Sequence, residues 1–192
     1  MLPLILASAS LYRKALLERL QMPFTVAPAH VDETPLAHEP PRILVSRLAA
    51  AKARALTTAY PAALVIGSDQ AAVAGDEILG KPGGRDQAVA QLSRMCGRRI
   101  VFMTSICLLN TQTGRLQLDV VDYAVVFRPL DRGAIERYVV AEQPYDCAGA
   151  FKSEGLGIAL VSRFEGDDPT ALIGLPLIRL GEMLREENVD LP

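Results

Sequence analysis

Histidine is scarce in this chain: His30 and His38 are the only two in 192 residues. That argues against a histidine-based catalytic triad and against a multi-histidine metal centre. Cysteine is almost as sparse. Cys96, Cys107 and Cys147 form an odd, scattered set without C-x-x-C spacing, so neither a disulfide framework nor a zinc site is expected. No apolar run reaches the roughly eighteen residues a membrane span needs. The opening "MLPLILASAS" ends like a cleavage site, but it lacks a basic start and its apolar stretch is short, so a signal peptide is not expected. There is no basic excess either: the formal charge of -2 argues against broad nucleic-acid coating, while leaving room for a small phosphate site built from a few local cations. Repeats, low-complexity tracts and long linkers are missing too. The expectation is a cytosolic protein whose chemistry rests on carboxylates, lysines, arginines and hydroxyls.

Half of the residues are apolar, which places the chain among globular proteins, and its length suits one sizeable domain or two lobes sharing a sheet. Leu4–Ala7 reads as a short buried strand. Ser10 then caps a helix whose Tyr12, Ala15, Leu16 and Leu20 share a stripe. "PFTVAPAHVDETP" reads as a strand entering a Pro-rich loop, and an Ala-rich helix is expected from about Pro41 to Tyr60. Leu64–Ile66 reads as a strand that stops at Gly67-Ser68, with Asp69 just beyond it. "GDEILGKPGG" reads as a loop and residues 86–95 as a helix. "RRIVFMTSICLLN" and "LQLDVVDYAVVF", separated by the turn-like "TQTGR", predict an antiparallel hairpin. A helix at "LDRGAIERYVVAEQ", a strand at "GLGIALVSRFEG" and an amphipathic helix at "LIRLGEMLREE" complete a mixed α/β order.

Several short stretches have the chemistry of a site. "SASLYR" sets two hydroxyls and Arg13 at a helix start, suited to an anion, although Ser10 as a plain cap and Arg13 as a solvated cation read equally well. No Walker A sequence accompanies it. Asp32 and Glu33 in "VDET" suit a hard cation or a solvated acidic turn. Asp69, at the end of a buried strand, stands where open α/β sheets place ligand-binding groups, or where a turn needs a cap. Lys81 in the stiff "GKP" and Lys52 in the Ala-rich helix are two more cations. "AGAFKSEGLG" adds Lys152 and Glu154 among small residues that permit close approach or simply a turn.

In this order, "LILASASLYR", "VDET", "LAAAKA", "IGSDQ", "GKP", "CAGAFKSEG" and "GLPL" resemble the Maf family of nucleotide pyrophosphatases across nearly the whole chain. The resemblance implies an elongated α/β fold, with a central mixed sheet flanked by helices. It also implies a single Maf-like domain over residues 1–192, with two lobes around a cleft, related to the inosine-triphosphate pyrophosphatase group. The implied reaction is hydrolysis of a nucleoside triphosphate to the monophosphate and pyrophosphate with a divalent metal, Mg²⁺ or Mn²⁺, by a homodimer. By motif, Ser8, Arg13, Lys52 and Lys81 would hold phosphates, Glu33 and Asp69 would serve the metal, and Asp69 would accept the proton of the attacking water.

Tyr12, Gln70 and Glu154 resemble the branch acting on 7-methyl-GTP, where the corresponding positions are aromatic, Gln and Glu; the branch acting on dTTP and UTP has Arg, Thr and Gln. Methylation at N7 makes the base cationic, which an aromatic face attracts by roughly 0.5 to 2 kcal/mol and which Glu154 would complement. A dTTP/UTP pyrophosphatase with relaxed selection and a non-catalytic nucleotide-binding regulator of cell division remain the alternatives at this point. Leu11, where many members have proline, is the one minor departure.

Overall fold

The structure is a computed structural model that describes residues 2–75 and 77–191. Thirteen helices and strands are named here in chain order: β1 (Leu4–Leu6), α1 (Leu11–Leu17), β2 (Phe24–Val26), α2 (Pro41–Arg54), β3 (Leu64–Ala74), β4 (Glu77–Leu79), α3 (Arg85–Met95), β5 (Arg99–Asn110), β6 (Leu116–Phe127), α4 (Arg132–Glu142), β7 (Val161–Glu165), α5 (Pro169–Ile173) and α6 (Leu177–Glu186). The strands build one seven-stranded sheet in the order β2-β1-β3-β5-β6-β7, with β4 on the far part of β3. It is mixed. β1 pairs parallel with β2 and β3, while β4 and β7 run antiparallel to their partners. Residues 111–115 link the adjacent β5 and β6, a connection too short for anything but the expected hairpin.

The chain divides into two compact units. The first comprises Met1–Gln70, Thr104–Val121 and Asp168–Pro192; the second comprises Ala71–Met103 and Asp122–Asp167. β3, β5 and β6 contribute residues to both.

In the first unit β1 and the first half of β3, paired parallel, are buried on both faces, as parallel strands covered on two sides should be. Alternate side chains separate into two cores. Leu4, Leu6, Leu64, Ile66, Ile106 and Leu108 meet Leu16 and Leu17 of α1 and Leu180, Met183 and Leu184 of α6. Ile5, Val65, Cys107 and Leu109 meet Ala49, Ala50 and Ala53 of α2. In the second unit Phe151 packs against two other rings, with centroids 5.8 Å from Phe102 and 5.0 Å from Phe127.

Five expectations need correction. The stretch "GDEILGKPGG" is not all loop: Glu77–Leu79 form β4, which pairs antiparallel with Ala72–Ala74 of β3 and buries Leu79. β3 does not stop at Gly67-Ser68 but runs from Leu64 to Ala74, so Asp69 is inside a strand. The α1 stripe is Leu16 and Leu17 with Leu20 packed beside them, and Ala15 is exposed. The helix begun at Pro41 ends at Arg54 and gives way to turns. The strand expected across "GLGIALVSRFEG" is a 3₁₀ turn over Leu156–Leu160 followed by β7. The reason lies at Gly157, where a Cβ would sit 2.3 Å from the Lys152 carbonyl oxygen. The backbone folds back on itself there, and the side chains follow the turn.

Candidate active site

The site begins with a close approach between helix and strand. A Cβ on Gly67 would lie 2.1 Å from the Ala49 carbonyl oxygen of α2, so glycine here marks packing contact and not a turn. Ala49 and Ala53, both buried, supply the matching small surface. Within β3, Asp69 and Gln70 are the two half-exposed positions in an otherwise buried strand. The period of two sends them to opposite faces of the sheet: Asp69 follows Val65 and Gly67 toward α2, and Gln70 follows Ile66 and Ser68 toward α5.

Lys52 meets Asp69 on the α2 face. It shares the buried stripe of Val45, Leu48 and Ala49 instead of the solvated side of the helix, and it is 7% exposed. Its Nζ lies 2.6 Å from Asp69 Oδ1 and 2.7 Å from Glu33 Oε1. One ammonium therefore joins two carboxylates that are far apart in sequence. The Asp69 backbone is fixed in turn by Ser105, whose Oγ accepts the Asp69 N–H at 3.2 Å and donates to the Val45 carbonyl at 2.6 Å.

Glu33 stands on a loop that Arg47 of α2 secures. The guanidinium donates to Glu39 through Nε at 2.7 Å and Nη2 at 2.8 Å, and Nη2 also reaches the Thr34 carbonyl at 3.1 Å. This fork, together with the Leu36 N–H, brings the Glu39 carboxyl down to about 2. Asp32, the other acid of "VDET", is used locally: it accepts the Thr34 N–H at 2.9 Å, and its bonds to Thr34 lower its pKa.

The turn before α1 forms as the sequence predicts. Ser10 caps the helix through the Arg13 N–H at 3.4 Å. Ser8 Oγ accepts from Ser10 N–H at 3.2 Å and from Arg13 Nη1 at 3.4 Å, joining the hydroxyl and the guanidinium of the expected phosphate set. Burial lowers the pKa of Arg13 while Asp69 and Glu33 oppose that shift, so its cation belongs to the same electrostatic group. Tyr12 is half-buried at the start of α1.

A short helix absent from the sequence-based reading holds the other face. α5 is capped by Asp168, which is 3% exposed and also accepts the Ile178 N–H at 3.0 Å, tying α5 to α6. The carbonyls at its C-terminal end then serve as acceptors. Arg13 Nε and Ser68 Oγ donate to Gly174 O at 2.8 and 2.9 Å. Gln70 Nε2 donates to Ala171 O, Leu172 O and Thr104 Oγ1 at 2.9 to 3.0 Å. Two carbonyls beside one amide atom require it to be the nitrogen, so the orientation of Gln70 is determined. The "DDP" preceding this helix, an acid before proline, was the one signal of it in the sequence.

Lys81 and Glu154 belong to the second unit. Lys81 is exposed on the loop after β4, and that loop is bonded to the Gly-rich stretch: Gly149 N–H donates to Gly80 O at 3.1 Å and Gly83 N–H to Tyr145 O at 3.0 Å. "GKP" and "CAGAFKSEG" are thus neighbours. Glu154 is exposed on the turn that follows and accepts from Ser153 Oγ at 3.1 Å.

Among the described residues no three His, Cys, Asp or Glu side chains gather as a metal cage. The pair Glu33 and Asp69 fits a hard cation of the Mg²⁺ type, which commonly takes one or two carboxylates and completes its shell with water and substrate phosphate oxygens.

Comparison with known proteins follows the same lines. The family described as "Maf: Maf-like protein" matches residues 3–187. A protein of Pseudomonas putida named "7-methyl-GTP pyrophosphatase" is 53% identical over 192 residues, covering all of both chains. Proteins of the same name from Methylobacillus flagellatus and Alkalilimnicola ehrlichii are 53% identical over 188 residues and 55% identical over 182 residues. They cover 98% of both chains and 95% of this chain with 92% of the relative, respectively.

Proposed function

The chain belongs to the Maf family, and from that membership we propose that it hydrolyses 7-methyl-GTP to 7-methyl-GMP and pyrophosphate, removing a modified nucleotide from the pool. The observation that supports the chemistry most directly is the contact of Lys52 with both Asp69 and Glu33. It puts a base, a second carboxylate and a cation within one hydrogen-bond radius. Full-length likeness to relatives named for 7-methyl-GTP supports the substrate.

Asp69 accepts the proton of the water that attacks the α-phosphorus, a role open to any carboxylate within reach of that proton. The strand and Ser105 keep its backbone still while it does so. Arg13, with Ser8 beside it, and Lys52 meet the charge that develops on the phosphoryl oxygens. An ammonium has three donors, so Lys52 can hold both carboxylates and still bond a phosphate oxygen. Lys81 is assigned to the leaving pyrophosphate. A divalent cation, Mg²⁺ or Mn²⁺, held by Glu33 and Asp69 would polarise phosphoryl oxygens and neutralise their charge when bound.

Base selection falls to Tyr12 and Glu154, whose aromatic face and carboxylate suit a cationic purine. Gln70 is assigned to base selection as well; its nitrogen is committed to α5 and Thr104, which leaves Oε1 as the atom of its amide to serve that role. The proposed setting is a cytoplasmic homodimer acting on free nucleotides; no helix among the described residues is long and apolar enough to cross a membrane.

A panel of 7-methyl-GTP, GTP, dTTP and UTP with Mg²⁺ or Mn²⁺ tests the reading. Highest kcat/KM is expected on 7-methyl-GTP. Equal turnover of dTTP would replace this assignment with the pyrimidine branch, and tight binding without turnover under either metal would make the protein a nucleotide-binding regulator.

A further inference from the structure

Glu142 is the last residue of α4 and lies outside every motif of the family resemblance. Its carboxylate closes a turn. Oε1 accepts from Lys152 Nζ and Oε2 from the Leu156 N–H, both at 2.6 Å, so one side chain holds the two ends of the segment that contains Glu154. Gly155 fits directly against it. A Cβ there would sit 2.5 Å from Glu142 Oε2, which leaves glycine as the residue that lets the turn settle on the carboxylate.

Tyr138, one turn earlier on α4, secures the same segment from behind. Its hydroxyl donates to the Ala150 carbonyl at 3.2 Å and accepts the Lys152 N–H at 3.1 Å. Burial raises the pKa of that phenol, which keeps the proton needed for the first bond. All of these residues lie in the second unit. The Glu142 and Lys152 side chains are 13% and 28% exposed, so their ion pair is sheltered enough for loss of one partner to be felt by the other. The hydrogen bonds with Lys152 and Leu156 lower the pKa of Glu142, and the bond with Glu142 raises that of Lys152.

We infer that Glu142 is a positioning residue for base selection: it fixes the turn over 152–156 and thereby the place from which Glu154 meets the base. The inference rests on the assignment of Glu154 to base selection. Glu142 itself touches neither base nor phosphate in this account. Its removal loosens the frame of Glu154 and leaves the Asp69 chemistry in place.

The experiment measures the ratio of kcat/KM for 7-methyl-GTP over GTP in the wild type, Glu142→Gln, Glu154→Gln and the double variant, with Lys152→Met as a second way to break the same pair if Glu142→Gln does not fold. Glu142→Gln should lower the ratio about fivefold, a modest coupling for neighbouring side chains, through KM more than kcat. The shift should vanish in the Glu154→Gln background. A role in stability alone would reduce both substrates alike and leave the ratio unchanged. If Glu154→Gln changes the ratio while Glu142→Gln and Lys152→Met do not, the inference is wrong and the base assignment stands. A Glu142→Gln shift that persists undiminished without Glu154 also overturns it. If Glu154→Gln leaves the ratio unchanged, the base assignment falls and takes the inference with it.

Discussion

Asp69 and Glu154 occupy contrasting ground. Asp69 lies in an 11-residue strand, flanked by buried residues on both sides of the Asp69-Gln70 pair and by a helix so close that only glycine fits beneath it. Glu154 is exposed on a turn whose ends are held by one carboxylate and backed by one tyrosine. The difference teaches where each kind of tolerance lies. In the proposed roles, Asp69 as the proton acceptor would be held by the sheet itself. Glu154 as a base-selecting group would instead depend on a turn pinned by a few side chains, which can change at less cost to the fold.

The largest expected effect is on the rigid side. Asp69→Asn should lower kcat by about 10²- to 10⁴-fold, the usual contribution of a positioned base, while calorimetry still detects nucleotide binding. Substantial residual turnover would remove Asp69 as the base.

A pair of alanine variants sharpens the contrast in stability. Gly67→Ala drives a Cβ into the backbone of α2, and urea unfolding should show a loss of about 1 to 3 kcal/mol or more. Gly155→Ala meets only the end of the Glu142 side chain, which can swing aside. Its unfolding midpoint should move less, and its selectivity for 7-methyl-GTP over GTP should fall instead. Equal losses of stability at the two positions would erase the distinction between backbone and side-chain support.

The smallest effect concerns the loop of Glu33. With its pKa held at about 2 against an ordinary 4.5, Glu39 contributes stability that is fully present above pH 4.5 and is lost as pH falls toward 2. Glu39→Gln should flatten that acid limb of the stability curve and leave the curve above pH 5 almost parallel to the wild type. An unchanged acid limb would mean that the Arg47 fork does not persist in solution.

The mixed sheet, apart from the three-residue β4, was legible because its apolar runs alternate between two covered faces, as Leu4, Ile5 and Leu6 do. Ser10 was legible as a cap because a cap is a local device. Gly67-Ser68 misled for the opposite reason. Glycine usually punctuates a chain, and nothing within a few residues of it reveals that Ala49 passes against it. Lys52 could have been singled out by its spacing from Leu48 and Ala49, which puts it on the buried stripe. α5 left only the local "DDP" signal because it is five residues long, and its role was not legible because it accepts bonds from Arg13, Ser68 and Gln70, partners more than a hundred residues away. The placing of Asp69 and Gln70 on opposite faces needed the corrected extent of β3. A stop at Ile66 would have left both on one loop.

The central claim is that water attacks the α-phosphorus of 7-methyl-GTP and expels pyrophosphate. Hydrolysis in H₂¹⁸O followed by mass spectrometry of both products measures this directly. The account predicts one ¹⁸O in 7-methyl-GMP and none in pyrophosphate; label in pyrophosphate, or release of inorganic phosphate as the first product, would contradict it.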